Sequence, residues 1–230
     1  MERATVIRSA FVFAFYLACV VTTAAQEATP ARRPVAEPKK ANQRPATAAS
    51  AAEPFDGATA KMMAEKCVKL ETEAGEIEIE LLPEAAPETV RNFLNLVAIN
   101  FYDTTAFSRV VKNFVVQGGN VSTRQTRTPE LALRAERTIS DEPSYVKHVR
   151  GIVSMARPDT PNSVTTNFFI LVSDSPHLDG TFTAFGRVTR GMEAVDAING
   201  APVENEKPLK PVRLTRAVIV PCAPVEKLSN

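Results

Sequence analysis

One stretch of this chain sets polar donors among apolar side chains closely enough to do chemistry. It reads Phe107-Ser108-Arg109-Val110-Val111-Lys112-Asn113-Phe114-Val115-Val116-Gln117-Gly118-Gly119-Asn120. Strand-like alternation puts Arg109 on the face opposite Ser108 and Val110. Phe114 and Gln117 flank a turn toward Gly118-Gly119. An Arg set among apolar residues must find an anion, a carbonyl or a ligand. A structural ion pair and a binding role fit this stretch equally well. Other chemistries leave little trace. The two histidines, His148 and His177, lie 29 residues apart with no carboxylate pattern around them. Each reads as a surface or packing histidine rather than a base. The three cysteines, at 19, 67 and 222, are too widely spaced for a zinc knuckle or a CxxC pair. No HExxH, Walker loop, GxGxxG or Ser/His/Asp set is present, so no metal or cofactor is expected.

The elements that must position Arg109 are mostly strands. Glu76-Ile77-Glu78-Ile79-Glu80-Leu81 alternates strictly, and 68–72 before it has the same period. The segment 72–75 joins them as a hairpin. Further strands are expected at 107–111, 113–117, 151–156, 167–172 and 183–188, and from Leu214 to Val220. Pro87 and Glu88 suit the first turn of a helix, after which Val90, Phe93, Leu94 and Val97 share one face. A second helix is expected at 191–199, with Met192, Val195 and Ile198 inward. Many strands and two separated helices predict a closed or nearly closed antiparallel barrel.

The folded part is expected at 61–225, followed by a short tail at 226–230. Residues 26–60 hold eleven Ala and five Pro, with only Val35 and Phe55 as larger apolar side chains. So little apolar surface cannot offset the entropy of ordering, and the segment reads as an extended linker. Residues 1–25 have a weakly positive start at Arg3 and Arg8, twelve apolar residues from Ala10 to Val21, and small residues at 22–25. This is the pattern of a secretory signal peptide cleaved after Ala25. Twelve apolar residues are too few for a membrane-spanning helix, which needs roughly 20. The expected location is therefore outside the cytoplasm, periplasmic or extracellular, with no membrane insertion after cleavage. The whole chain has 27 Lys and Arg against 26 Asp and Glu. Cleavage brings the net charge to zero, which argues against an electrostatic nucleic-acid binder.

Four runs, in order, resemble the cyclophilins, the peptidyl-prolyl cis–trans isomerases. They are GEIEIELLPEAAPETVRNFLNLV, FSRVVKNFVVQGGN, RGIVSMARPDTPNSVTTNFFI and HLDGTFTAFGRVTRGMEAVDAI. Together they cover roughly residues 66–220. The Met155-Ala156-Arg157 triplet and the Ser before Arg109 look closer to the bacterial branch. The resemblance implies a mainly β fold, an eight-stranded antiparallel β-barrel capped by two α-helices. It implies a cofactor-free isomerase, a monomer, acting on proline-containing polypeptides during folding. Arg109 would be the catalytic donor to the prolyl nitrogen. Gln117 would orient it and hold the substrate carbonyl. Phe114, Phe169 and Leu178, with Val115 beside them, would form the proline pocket. The backbone near Ala156 and Arg157 would pair with substrate. Asn167, His177 and Phe182 would complete the rim, each differing from the residue usual in animal members: Asn for Gln, His for Trp, Phe for His. The altered rim leaves a second possibility, a proline-peptide binding module with little turnover. In the family barrel the terminal strands are antiparallel neighbours, which would bring Cys67 and Cys222 close enough for a disulfide, with two unpaired thiols at the barrel ends as the alternative.

Overall fold

The structure, a computed structural model, describes residues 52–222. The expected signal peptide, most of the expected linker and the tail at 226–230 lie outside these residues. Among the described residues, eleven strands and four α-helices follow one another. They are α1 (Ala60–Ala64), β1 (Lys66–Thr72), β2 (Gly75–Leu81), α2 (Pro87–Ala98), β3 (Thr105–Ala106), β4 (Arg109–Val111), β5 (Val115–Gly118) and α3 (Pro129–Ala135). Then come β6 (Ile152–Met155), β7 (Phe168–Leu171), β8 (Ala184–Arg190), α4 (Met192–Gly200), β9 (Val203–Glu204), β10 (Lys207–Pro208) and β11 (Arg213–Pro221).

Nine strands form one antiparallel sheet in the order β3-β11-β1-β2-β8-β6-β7-β5-β4, and β9 pairs only with β10. The mainly β, barrel-like architecture is as expected, but the count is nine rather than eight. The segment 107–111, expected as one strand, is split. Phe107 N–H donates to Val212 O at 3.0 Å, and Ser108 N–H donates to Gln117 O at 2.9 Å. The chain therefore changes partner between consecutive residues, from the residue just before β11 to β5. The sheet's two end strands are joined by that two-residue link, which carries the sheet round upon itself.

The barrel interior is filled by Val68, Leu70, Ile77, Ile79, Val110, Val116, Phe168, Ile170 and Phe185, all buried. The α2 face made by Val90, Phe93, Leu94 and Val97 closes one end. Phe93 packs against Tyr102, Phe168 and Phe185 at ring separations of 4.9–5.7 Å, favourable tilted and edge-on contacts. Strands β6 and β7 are buried on both faces, and β5 is so at all but Gln117, because a second cluster covers their outer side. It contains Val115, Ile152, Phe169, Leu171, Leu178 and Ala184. Alternation sends Val116, Phe168 and Ile170 into the barrel and Val115, Phe169 and Leu171 into that outer cluster.

The folded body begins before Lys61, which corrects the expected linker boundary. Phe55 N–H donates to Asn95 Oδ1 at 2.7 Å, and Asn95 Nδ2 donates to Asp56 Oδ1 at 2.9 Å. Glu53 pairs with Arg134 of α3, both side chains nearly buried. Arg134 also donates to Asn92 Oδ1 at 2.8 Å. The side of α2 that reads as solvent-facing is thus covered by 53–58 and α3. Helices α1 and α3 add to the two expected. The start of α3 was readable: Thr128 caps it through Oγ1 and Pro129 sits at its first position.

Candidate active site

Arg109 and Gln117 are directly opposite in the β4–β5 ladder, with Val111 opposite Val115. Gln117 is in turn opposite Phe169 on β7, and Phe169 is opposite Ser154 on β6. Directly paired residues point to the same face. Arg109, Gln117 and Phe169 therefore form a row across three strands on the barrel's outer side. Arg109 Nη1 makes a long contact of 3.5 Å to Gln117 Oε1. Taking that contact leaves the Gln117 amide group to donate elsewhere.

Phe114 stands at the β4–β5 turn, which Asn199 at the end of α4 holds. Asn113 N–H donates to Asn199 Oδ1 at 3.0 Å, and Asn199 Nδ2 donates to Val111 O at 2.9 Å and Val115 O at 3.3 Å. Lys112 Nζ donates to Asn199 O and Ala201 O at 2.7 and 2.6 Å. After β5 the backbone passes close to the start of β7. Gly119 has φ +88°, and a Cβ there would lie 2.3 Å from Thr166 O. Only glycine fits both the dihedral and the approach.

The far wall comes from the short helical turn Pro176–Leu178 and the residues after it. The His177 ring lies 5.6 Å from that of Phe114, and the Phe182 ring meets Phe169 edge-on at 5.9 Å. Arg157 lays its guanidinium 5.2 Å from the Phe182 centroid. It pairs with Asp141 at 3.1 Å, both side chains largely buried. That contact is a cation–π stack held from behind by a carboxylate.

These side chains enclose one cavity of about 270 Å³. Its walls are Arg109, Phe114, Val115, Gln117, Ala156, Arg157, Phe169, His177, Leu178 and Phe182. Of the residues singled out from the sequence, Asn167 alone does not line it. Its carbonyl accepts from Ala156 N–H at 2.9 Å, and its Oδ1 is buried without a hydrogen-bond partner. The Ala156 N–H is thereby used within the sheet. Among the described residues no cluster of three or more His, Cys, Asp or Glu converges as metal ligands. Cys67 and Cys222 are joined by a disulfide, their Cα atoms 4.8 Å apart, because β1 and β11 are antiparallel neighbours with Cys67 opposite Val220.

Two features escaped sequence reading. Glu206, 97 residues from Arg109, places Oε2 2.8 Å from Arg109 Nε. No local pattern announces a pair so far apart. The second is a buried chain of side chains behind the pocket. His148 Nδ1 lies 3.1 Å from Asp179 Oδ1, and its Nε2 lies 3.0 Å from Ser154 Oγ. The residue types are those of a hydrolytic triad, but Ser154 has no exposed surface. The chain is a packing device: it ties β6, beneath Phe169, to the loop that carries Leu178. Burial, opposed in part by Asp179, holds the His148 imidazole below its usual value. The backbone N–H of His148 and the Lys147 ammonium hold the Asp179 carboxyl down to about 2.

Comparison with known proteins places this geometry. Residues 67–219 match the family described as cyclophilin type peptidyl-prolyl cis-trans isomerase. Peptidyl-prolyl cis-trans isomerase-like 3 of Gallus gallus is 42% identical over 147 residues, 63% of this chain and 88% of that protein. A peptidyl-prolyl cis-trans isomerase of Arabidopsis thaliana is 39% identical over 141 residues, and the match spans 62% of its length. A crystal structure of a Cryptosporidium parvum cyclophilin type isomerase in the presence of the dipeptide Ala-Pro superposes with a TM-score of 0.60 at 30% identity, covering 67% of this chain and 98% of that one. With the barrel, the Arg109–Gln117–Phe169 row and the apolar cavity in place, the chain belongs to the cyclophilin-type peptidyl-prolyl cis–trans isomerases.

Proposed function

We propose that this protein accelerates rotation about Xaa–Pro bonds in exported polypeptides, with Arg109 as the donor that stabilises the twisted bond. The observation that carries this is Arg109 beside Gln117 on the wall of a cavity that Phe114, Val115, Phe169, Leu178 and Phe182 also line, with Ala156, Arg157 and His177.

The planar amide resists rotation with a barrier of ~18–20 kcal/mol, because rotation destroys C–N double-bond character. At the twisted geometry the prolyl nitrogen regains a lone pair. A guanidinium N–H aimed at that nitrogen interacts with the twisted state and hardly with the planar one, so it acts on the rate rather than on binding. No proton is transferred, and a guanidinium stays charged at any pH a folded protein meets. Activity is therefore expected to vary little with pH near neutrality. The ring of the proline sits against Phe114, Phe169 and Leu178, and Gln117 donates its amide to the carbonyl before it. A rate gain of ~10⁵ needs about 7 kcal/mol, of which a charge-assisted hydrogen bond supplies ~1.5–3 kcal/mol. Holding the ring in an apolar, water-poor cavity supplies most of the rest.

A protease-coupled assay on an Ala-Pro-containing peptide tests the reading. Wild type should accelerate isomerisation, and Arg109→Ala should lose ~10–150-fold in kcat/KM while keeping its fold by circular dichroism. No acceleration by wild type, or an unimpaired Arg109→Ala, would reject it in favour of a proline-peptide binder.

A further inference from the structure

We propose that Glu206 is a positioning residue for Arg109, and that the β9–β10 turn is built to deliver it. The inference deepens the reading of Arg109 as donor and rests on it. The β9–β10 hairpin turns through Asn205 and Glu206, at φ +49° and +64°. Two left-handed residues in succession are what a tight two-residue hairpin requires, and its second position is ordinarily glycine. Here the position carries Glu, a side chain that the conformation disfavours. Such an outlier points to a role for the side chain itself.

That side chain reaches the candidate catalytic group. Glu206 takes hold of β4 at two successive residues. Its carbonyl accepts from Val110 N–H at 2.8 Å, and its Oε2 accepts from Arg109 Nε at 2.8 Å. Gln117 Oε1 contacts Nη1 from the other strand. The guanidinium is held from two sides, and Nη2 is the donor these contacts leave over. Arg109 and Glu206 side chains are both about half exposed, where an ion pair adds little stability. What it does supply is orientation. A long, flexible side chain pre-aimed at the point where charge develops need not be ordered in the transition state.

Glu206→Gly separates the two roles, because it removes the carboxylate and relaxes the backbone at once. We expect its thermal midpoint to equal or exceed that of wild type. Its kcat/KM should fall ~3–10-fold, through kcat rather than KM. Glu206→Gln keeps an acceptor and should restore most of the rate. The Arg109 Nε–Hε proton, assigned by its loss in Arg109→Lys, should exchange with solvent faster in Glu206→Gly when followed by NMR. Wild-type kcat in Glu206→Gly, a loss that tracks a lowered midpoint, or unchanged Nε–Hε exchange would each overturn the proposal. If wild type shows no isomerase activity, the Arg109 reading fails, and the exchange measurement still decides whether Glu206 holds the guanidinium.

Discussion

Arg109 carries two relationships that its sequence neighbourhood leaves open, an ion pair and a place in a binding site; the structure shows the ion pair and sets the residue on a cavity wall. Its guanidinium pairs with Glu206, and the residue lines the cavity. Arg157 also does more than the backbone role expected of it, since its guanidinium braces Phe182 and is itself braced by Asp141. His148 shows what burial does to a titratable group. Its neutral form is favoured in the folded state, whereas an unfolded histidine takes up its proton near pH ~6.5. The unfolded state therefore binds more protons below that pH, and stability must fall on acidification from about 6.5 toward the lowered folded value. Asp179 works in the same direction but in a lower window, from about 3.9 down to about 2, where its carboxylate is finally protonated. Urea unfolding at pH 7 and pH 5 separates them. Wild type should lose stability between these values, and His148→Gln should be less stable overall but show a flatter dependence. An equal slope in the variant would mean that another group is responsible.

At the scale of elements, the pocket depends on parts that never touch its cavity. The β4–β5 hairpin places Arg109, Phe114 and Gln117, and Asn199 at the end of α4 fastens its turn. Removing the Asn199 amide strands three backbone groups, the N–H of Asn113 and the carbonyls of Val111 and Val115. Asn199→Ala should therefore lower unfolding stability by about 2–4 kcal/mol and loosen Phe114, raising KM more than it lowers kcat. A KM unchanged from wild type would show that the hairpin holds its own shape. The strand periodicities and both long helices were legible because half-buried strands and amphipathic helices must alternate at periods near 2 and 3.6. The split at Phe107–Ser108 was not, because a change of hydrogen-bonding partner leaves side-chain alternation intact. The buried polar side of α2 was missed for a related reason. Asn92 and Asn95 look solvent-facing unless it is known that residues 53–58 return to cover them.

For the whole molecule, the disulfide joins the first and last strands of the barrel across 155 residues. Constraining so long a loop is worth up to ~5 kcal/mol in the chain-entropy treatment. The bond also bears on location, since structural disulfides persist in oxidising compartments. Protein produced with its first 25 residues and recovered from outside the cytoplasm should begin at Gln26 and contain no titratable thiol. Reduction should lower its unfolding stability by about 2–5 kcal/mol with isomerase activity retained while folded. An intact Met1, or two free thiols per chain, would remove the argument for export.

Alternating side chains and turn residues were enough to place a barrel, and the resemblance of four ordered runs gave its family and all ten residues that line its cavity. That reach has a physical basis. Strand periodicity is local and placed the strands, whereas Phe169, Leu178 and Phe182, remote in sequence from Arg109, were assigned by the resemblance of their runs. In the hairpin 109–117 one register sets Arg109 against Gln117. The tertiary structure alone decided which groups from other segments support the site and the side chains behind it. Glu206 on Arg109, Asp141 behind Arg157, Asn199 at the turn and Asp179 on His148 are each contributed by a segment remote in sequence. Hydrogen bonds and ion pairs of this kind depend on angstrom-scale placement. Only the closed barrel, which brings those segments to one side of the sheet, specifies it.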